Sequence, residues 1–267
     1  MPDRMNALLQ LHPLDILPLG VLFILAVAVM LLTVEVGYRI GRFMQTRKPD
    51  RAEASVGVLS GATLALLGFL LAFVTSSAVS SFAARRQAVV AEANAIGTAY
   101  LRAGYLPEPY GEESRKLLRE YVDLRLASLD RDRIAESILR SEEIHSELWT
   151  GVETLAMNSS SPTLALYISS INEVIDLHTD RINVELVARV PWNLILTLLA
   201  MTLLAIVQVG LLMGYGEKRN MIALVAFVLV LSVVFLLIVD LSRGQTGLFR
   251  ISYQSMLDLQ QQFNPNL

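Results

Sequence analysis

Cysteine is absent from the chain. That excludes disulfides, thiolate metal sites and cysteine nucleophiles. Histidine is nearly absent, and His12, His145 and His178 are far apart in the sequence. Only His178 has acidic neighbours, Asp176 and Asp180, and residues two apart on a helix do not face each other. The histidines are therefore read as solvated helix surface, and no metal site is expected. Charge is also scarce. The net charge of −3 and the lack of a basic stripe interleaved with aromatics exclude the electrostatic footprint of a nucleic-acid binder. There is no G-x-S-x-G turn, no phosphate loop and no dinucleotide fingerprint. No catalytic residue, enzyme activity or cofactor is expected.

What is abundant is apolar sequence. Hydrophobic residues make up 54% of the 267 positions, too many for an ordinary soluble protein. The excess lies in four uncharged runs, Ile16–Val34, Val56–Val79, Val190–Met213 and Met221–Val239. Each reaches the roughly 18–20 residues a helix needs to cross the hydrocarbon core. None alternates in the manner of a barrel strand. The first run is longer than a signal-peptide core, and Glu35, Tyr38 and Arg39 follow it where small residues would be needed for cleavage, so it reads as a retained span.

The second run carries the strongest pattern. Gly57, Gly61, Ala65, Gly68, Ala72 and Ser76 recur three or four positions apart, on one stripe of a helix. Lipid offers no hydrophobic drive for helix association, so membrane helices meet where small residues let backbones approach. The stripe predicts packing against other helices, including copies of the same chain. Phe69 and Phe73 lie four apart on one face, followed by Thr75, Ser76, Ser77, Ser80 and Ser81. Aromatic rings at a narrow point can gate a pore by dewetting, and hydroxyls can line a wetter stretch. Ordinary packing explains the same residues equally well. Just beyond come Arg85, Arg86 and Glu92, a candidate pore entrance that concentrates ions, or a local ion-pair group.

The layout is two spans (1–81), a helical domain (82–189), two spans (190–241) and a tail (242–267). Phe82–Ala103 is rich in helix formers and should continue the second span unbroken until Pro107 and Pro109 end it. Glu112–Leu129 reads as an amphipathic helix, and Ile134–Met157 as another helix. Ser160 or Ser161 caps the next, Thr163–Arg189, which should run through Pro191 into the third span. Leu248–Phe263 reads as a short amphipathic surface helix. Glu35 with Arg39, and Asp240 with Arg243, are interfacial anchors or the mouth of a permeation path. Gln208 should bond to another helix. The fold class is therefore all-α, four-span, with an extramembrane helical domain continuous with spans 2 and 3. The lipid bilayer is one partner, and a homo-oligomer is expected. Lys and Arg are densest in the two short loops, with Arg39, Arg42, Arg47, Lys48 and Arg51 in one and Lys218 and Arg219 in the other. By the positive-inside rule this puts the termini and the helical domain outside the cell.

Five stretches resemble the bestrophin-like domain family of bacterial membrane proteins. They are Gly68-Phe-Leu-Leu-Ala-Phe73, Ala84-Arg-Arg-Gln87, Glu92-Ala-Asn-Ala-Ile-Gly-Thr-Ala-Tyr-Leu-Arg102, Leu106-Pro-Glu-Pro-Tyr110 and Leu118-Arg-Glu-Tyr-Val-Asp123. The resemblance implies a more distant similarity to true bestrophins, pentameric channels selective for chloride in animals and conducting cations in some bacteria. It places Phe69 and Phe73 at two neck positions of the pore and Ala65 where an aliphatic neck residue is usual. The acidic calcium clasp of animal bestrophins has no counterpart. The resemblance also implies a cytoplasmic helical domain, the reverse of the charge argument. Two functions follow: an oligomeric ion channel of the bacterial inner membrane with the second span lining the pore, or a non-conducting scaffold or sensor whose helical domain binds a partner.

Overall fold

A computed structural model describes residues 17–45, 52–130, 133–158, 161–187, 190–216, 220–243 and 247–264. Arg47, Lys48, Arg51, His12, Lys218, Arg219, Arg189 and Ser160 lie outside them. Every regular element among the described residues is a helix. In order they are α1 (Leu19–Gln45), α2 (Ala52–Ala103), α3 (Tyr110–Ala127), α4 (Ile134–Asn158), α5 (Pro162–Val187), α6 (Trp192–Tyr215), α7 (Met221–Arg243) and α8 (Gln254–Phe263). The chain forms two compact units.

One unit holds α1, the first part of α2, α6 and α7. All four helices are long and apolar enough to cross a membrane. Large apolar side chains such as Ile24, Leu32, Val58, Leu204 and Ile222 point outward, as lipid-facing or subunit-facing positions do. The tightest contact in this unit involves residues that the small stripe of α2 did not suggest. Gly37 and Gly41 of α1 lie against Gly210 and Gly214 of α6, each pair spaced G-x-x-x-G. A methyl group on Gly37 would overlap the Val207 carbonyl oxygen, on Gly41 that of Leu211, on Gly210 that of Val34 and on Gly214 that of Tyr38. Only hydrogen fits between these backbones, which is how small residues compensate for the missing hydrophobic drive in lipid.

Two sequence expectations change here. The third span does not continue α5 through a kink. Pro191 stands before α6 with extended backbone (φ −56°, ψ 134°), because proline can open a helix but cannot continue one from its interior. Asp240, expected with Arg243 as an interfacial anchor, is fully buried. Its carboxylate accepts the backbone N–H groups of Leu248 and Phe249 at 3.1 Å and so fixes the turn after α7. Arg243 donates to the Leu17 carbonyl at 2.7 Å. Arg39 does bond Glu35, at 3.0 Å.

The other unit holds the remainder of α2 from Phe82, then α3, α4, α5 and α8. The second span and this unit share one helix, as expected. α2 ends at Ala103, before the two prolines, and Ser161 caps α5 by accepting the Leu164 N–H at 3.1 Å. The apolar core joins Val89, Ile96, Ala99, Leu118, Ile144, Tyr167, Ile171 and Met256, among others. The tail is part of that core and not a surface helix. Met256, Leu259 and Phe263 of α8 are buried. Phe263 stacks on Tyr100 with centroids 3.8 Å apart, and Gln260 donates to Asp123 at 2.6 Å.

Candidate functional site

A helix turns 100° per residue, so its faces can be assigned from spacing. On the membrane part of α2, Ser60, Leu67, Leu71, Val74 and Ala78 are buried against the chain's own bundle. They recur at three, four and seven positions and form one stripe. Phe69, Phe73, Ser76 and Ser80 lie on the opposite side. Phe69 is 67% exposed and Phe73 62%, and Ser76 and Ser80 are exposed too. Gly61, Ala65, Gly68 and Ala72 flank them, also exposed. A methyl group added at Gly61 or Gly68 would meet nothing within 4 Å. Gly57 differs, since its added carbon would touch the Leu212 side chain at 3.8 Å. The small stripe and both phenylalanines thus turn away from the bundle of their own chain, and intrachain close packing falls to the glycines of α1 and α6.

The proposed entrance residues separate. Arg86 is exposed, whereas Arg85 and Glu92 are buried. Glu92 cannot face an aqueous passage from this position, because it is the hub of a polar network inside the helical unit. Its Oε2 accepts from Arg181 Nη1 at 2.5 Å. Its Oε1 accepts from the Tyr121 hydroxyl at 2.6 Å and lies 3.3 Å from Arg125 Nε. Tyr121 also meets His178 Nδ1 at 2.9 Å. Arg181 reaches Glu185 at 3.2 Å and stacks over Tyr253 at 5.3 Å. His145 packs beside Tyr121 and His178, with ring centroids 4.9 Å and 4.8 Å away. His145 and His178 are therefore interior, not solvated surface.

The electrostatics follow from this geometry. Burial alone would raise the Glu92 carboxyl. Arg125, Arg181 and the hydrogen bonds from His178 and Tyr121 outweigh it and hold the group well below the usual carboxylate range, so it is ionised. Burial, with Glu92 beside it, pushes the Tyr121 phenol well up. Burial would lower Arg181, but Glu92 and Glu185 reverse that. His145 is pushed down to about 3, first by burial and then by His178.

Periodicity could have revealed this network. Leu118, Tyr121, Val122 and Arg125 occupy i, i+3, i+4 and i+7 of α3. Ile171, Val174, His178 and Arg181 follow the same rule on α5, as do Ile138, Ser141, His145, Leu148 and Val152 on α4. All are buried. A guanidinium or imidazole in register with a core stripe signals a buried partner. The interhelical hydrogen bond expected of Gln208 is not formed among the described residues, where its Oε1 has no partner.

Four apolar membrane-length helices and an all-helical unit continuous with the second define the class: a multi-pass, all-α membrane protein. The chain belongs to the Bestrophin-like domain family, whose model matches residues 22–256. In fold it is similar to the crystal structure of a bacterial bestrophin homolog from Klebsiella pneumoniae, with a TM-score of 0.65 at 15% identity over 92% of this chain and 97% of that one. No curated protein matches it in sequence.

Proposed function

We propose that the protein is an ion channel of bestrophin-like type, assembled as a symmetric homo-oligomer in the bacterial plasma membrane, with α2 lining the pore. One observation carries the reading: the face of α2 bearing Phe69, Phe73, Ser76 and Ser80 is turned away from its own bundle. In a ring of subunits, a face left open by its own chain is available to the central axis, and the adjoining glycine and alanine stripe is available to the neighbouring subunit. The two phenyl rings then form the dry constriction and the serine hydroxyls the wetter stretch beyond it. Family membership and the matching fold support the same assembly. Arg86, one of the three entrance candidates, remains on the surface and can still concentrate anions.

Purified protein in a planar bilayer tests this. Phe69→Ala with Phe73→Ala widens and wets the constriction, so unitary conductance rises. Absence of current from both wild type and variant would overturn the reading. So would crosslinking that finds only monomers in lipid.

A further inference from the structure

The polar core of the helical unit leaves two imidazole nitrogens without a hydrogen-bond partner. Tyr121 has one phenolic hydrogen, and it is donated to Glu92 at 2.6 Å. Toward His178 Nδ1, 2.9 Å away, the phenol oxygen then acts only as acceptor, so Nδ1 carries the imidazole hydrogen. The Nε2 of neutral His178 is left as a bare lone pair, buried and without a hydrogen-bond partner. The Nε2 of His145 is buried without a partner as well. The two rings meet edge to face at 4.8 Å, one from α4 and the other from α5.

The charged and titratable groups around them come from every element packed there. α2 supplies Glu92, α3 supplies Tyr121 and Arg125, α5 supplies Arg181 with Glu185 behind it, and the segment before α8 supplies Tyr253. Glu92 is the one fully buried carboxylate in this set, and Arg125, Arg181 and Tyr121 already occupy it. A proton added to His145 creates a third cation beside two guanidinium groups, and the one buried carboxylate is already committed to Arg125, Arg181 and Tyr121, with His178 Nδ1 3.8 Å from it. Such a charge is costly in an interior and is relieved by reaching water. α4 contributes His145 but no member of the Glu92 ion pairs, so its movement would leave those pairs intact.

We propose that His145 is a proton-operated latch: as a neutral ring packed edge to face on His178 it closes α4 onto α3 and α5, and its protonation in mild acid releases α4. The sign is fixed by the direction of the perturbation. His145, held neutral by burial, favours the closed unit above the ordinary histidine value of about 6.5 and withdraws that support as pH falls below it. Release is therefore expected between about pH 6.5 and about pH 5. This inference does not depend on what the membrane spans conduct.

Trp149 sits one turn after His145 on α4, packed against the core, and reports the release. The full chain carrying Trp192→Phe, in lipid nanodiscs, is titrated from about pH 7.5 to about pH 5 while Trp149 emission is followed. A reversible red shift in that window, lost in His145→Leu, is the expected result. Constant emission in the parent, or the same shift in His145→Leu, overturns the latch. If His145→Leu is already red-shifted at neutral pH, nitrogen NMR of histidine-labelled parent protein decides. Imidazole protonation and the Trp149 shift must then share one midpoint, and separate midpoints overturn the proposal.

Discussion

Glu92→Gln is the substitution that the helical unit should tolerate least. It keeps the shape of the side chain and removes one charge. Two guanidinium groups then remain buried, Arg125 and Arg181, both about as inaccessible as the carboxylate they lost. Breaking a buried pair from one side typically costs about 3–5 kcal/mol, because the partner charge is left uncompensated. For a unit of roughly 120 residues the unfolding entropy near the midpoint is on the order of 250 cal/mol/K, so the melting temperature should fall by about 12–20 °C. The pairing is two cations on one anion, so the costs are unequal. Arg181→Met leaves Glu92 with Arg125 and Tyr121, and strands only the partly exposed Glu185. Its cost should be about 1–3 kcal/mol. Thermal melts of purified protein followed by Trp149 emission measure both, and Glu92→Gln combined with Arg181→Met should cost less than the two singly. A Glu92→Gln variant melting within about 2 °C of wild type, or an Arg181→Met variant that is just as unstable, would refute the account of Glu92 as hub.

Three further outcomes follow from the packing. Gly210→Leu drives a branched side chain into the Val34 carbonyl, so α1 and α6 must separate; a loss of about 1–3 kcal/mol or more is expected in denaturant titrations, whereas Gly68→Leu in a single chain should be nearly neutral. Phe263→Ala removes the ring stacked on Tyr100 and should cost about 3–5 kcal/mol, read as faster proteolytic release of the C-terminal helix. The positive-inside rule, applied to the density of Lys and Arg, predicts a helical unit outside the cell. In intact cells an impermeant maleimide should then label Met157→Cys, an exposed site on α4, and spare Asn220→Cys before α7; the opposite pattern puts the unit in the cytoplasm, as in true bestrophins.

The sequence made the spans legible because a bilayer demands length and apolarity, and both can be counted along the chain. Helix ends were legible where proline or serine acts locally, at Pro107, Pro109 and Ser161. The polar network was not, because its members come from five segments and pairing across a core leaves no mark at any one of them. Glu92 looked like a partner for Arg85 and Arg86 nearby in sequence. Its bonded partners lie on α3 and α5, and only tertiary packing selects them. Asp240 misled for the same reason: a carboxylate at a helix end reads as an anchor, yet here it collects the amides of a turn several residues on. The seam between α1 and α6 carries a G-x-x-x-G spacing on each helix, a shorter signal than the small-residue stripe on α2. That stripe is unpacked within one chain, so its meaning lies in an assembly that a single sequence does not contain.

The seam has a consequence for how this molecule can vary. Glycine is the smallest residue the genetic code provides, and four of them already stand where two backbones touch. Every replacement there adds bulk, and no compensating change on the facing helix can make room by shrinking. The bundle is thus locked at one place against drift, while the phenylalanine face of α2 can be retuned by ordinary substitution without disturbing how each chain folds.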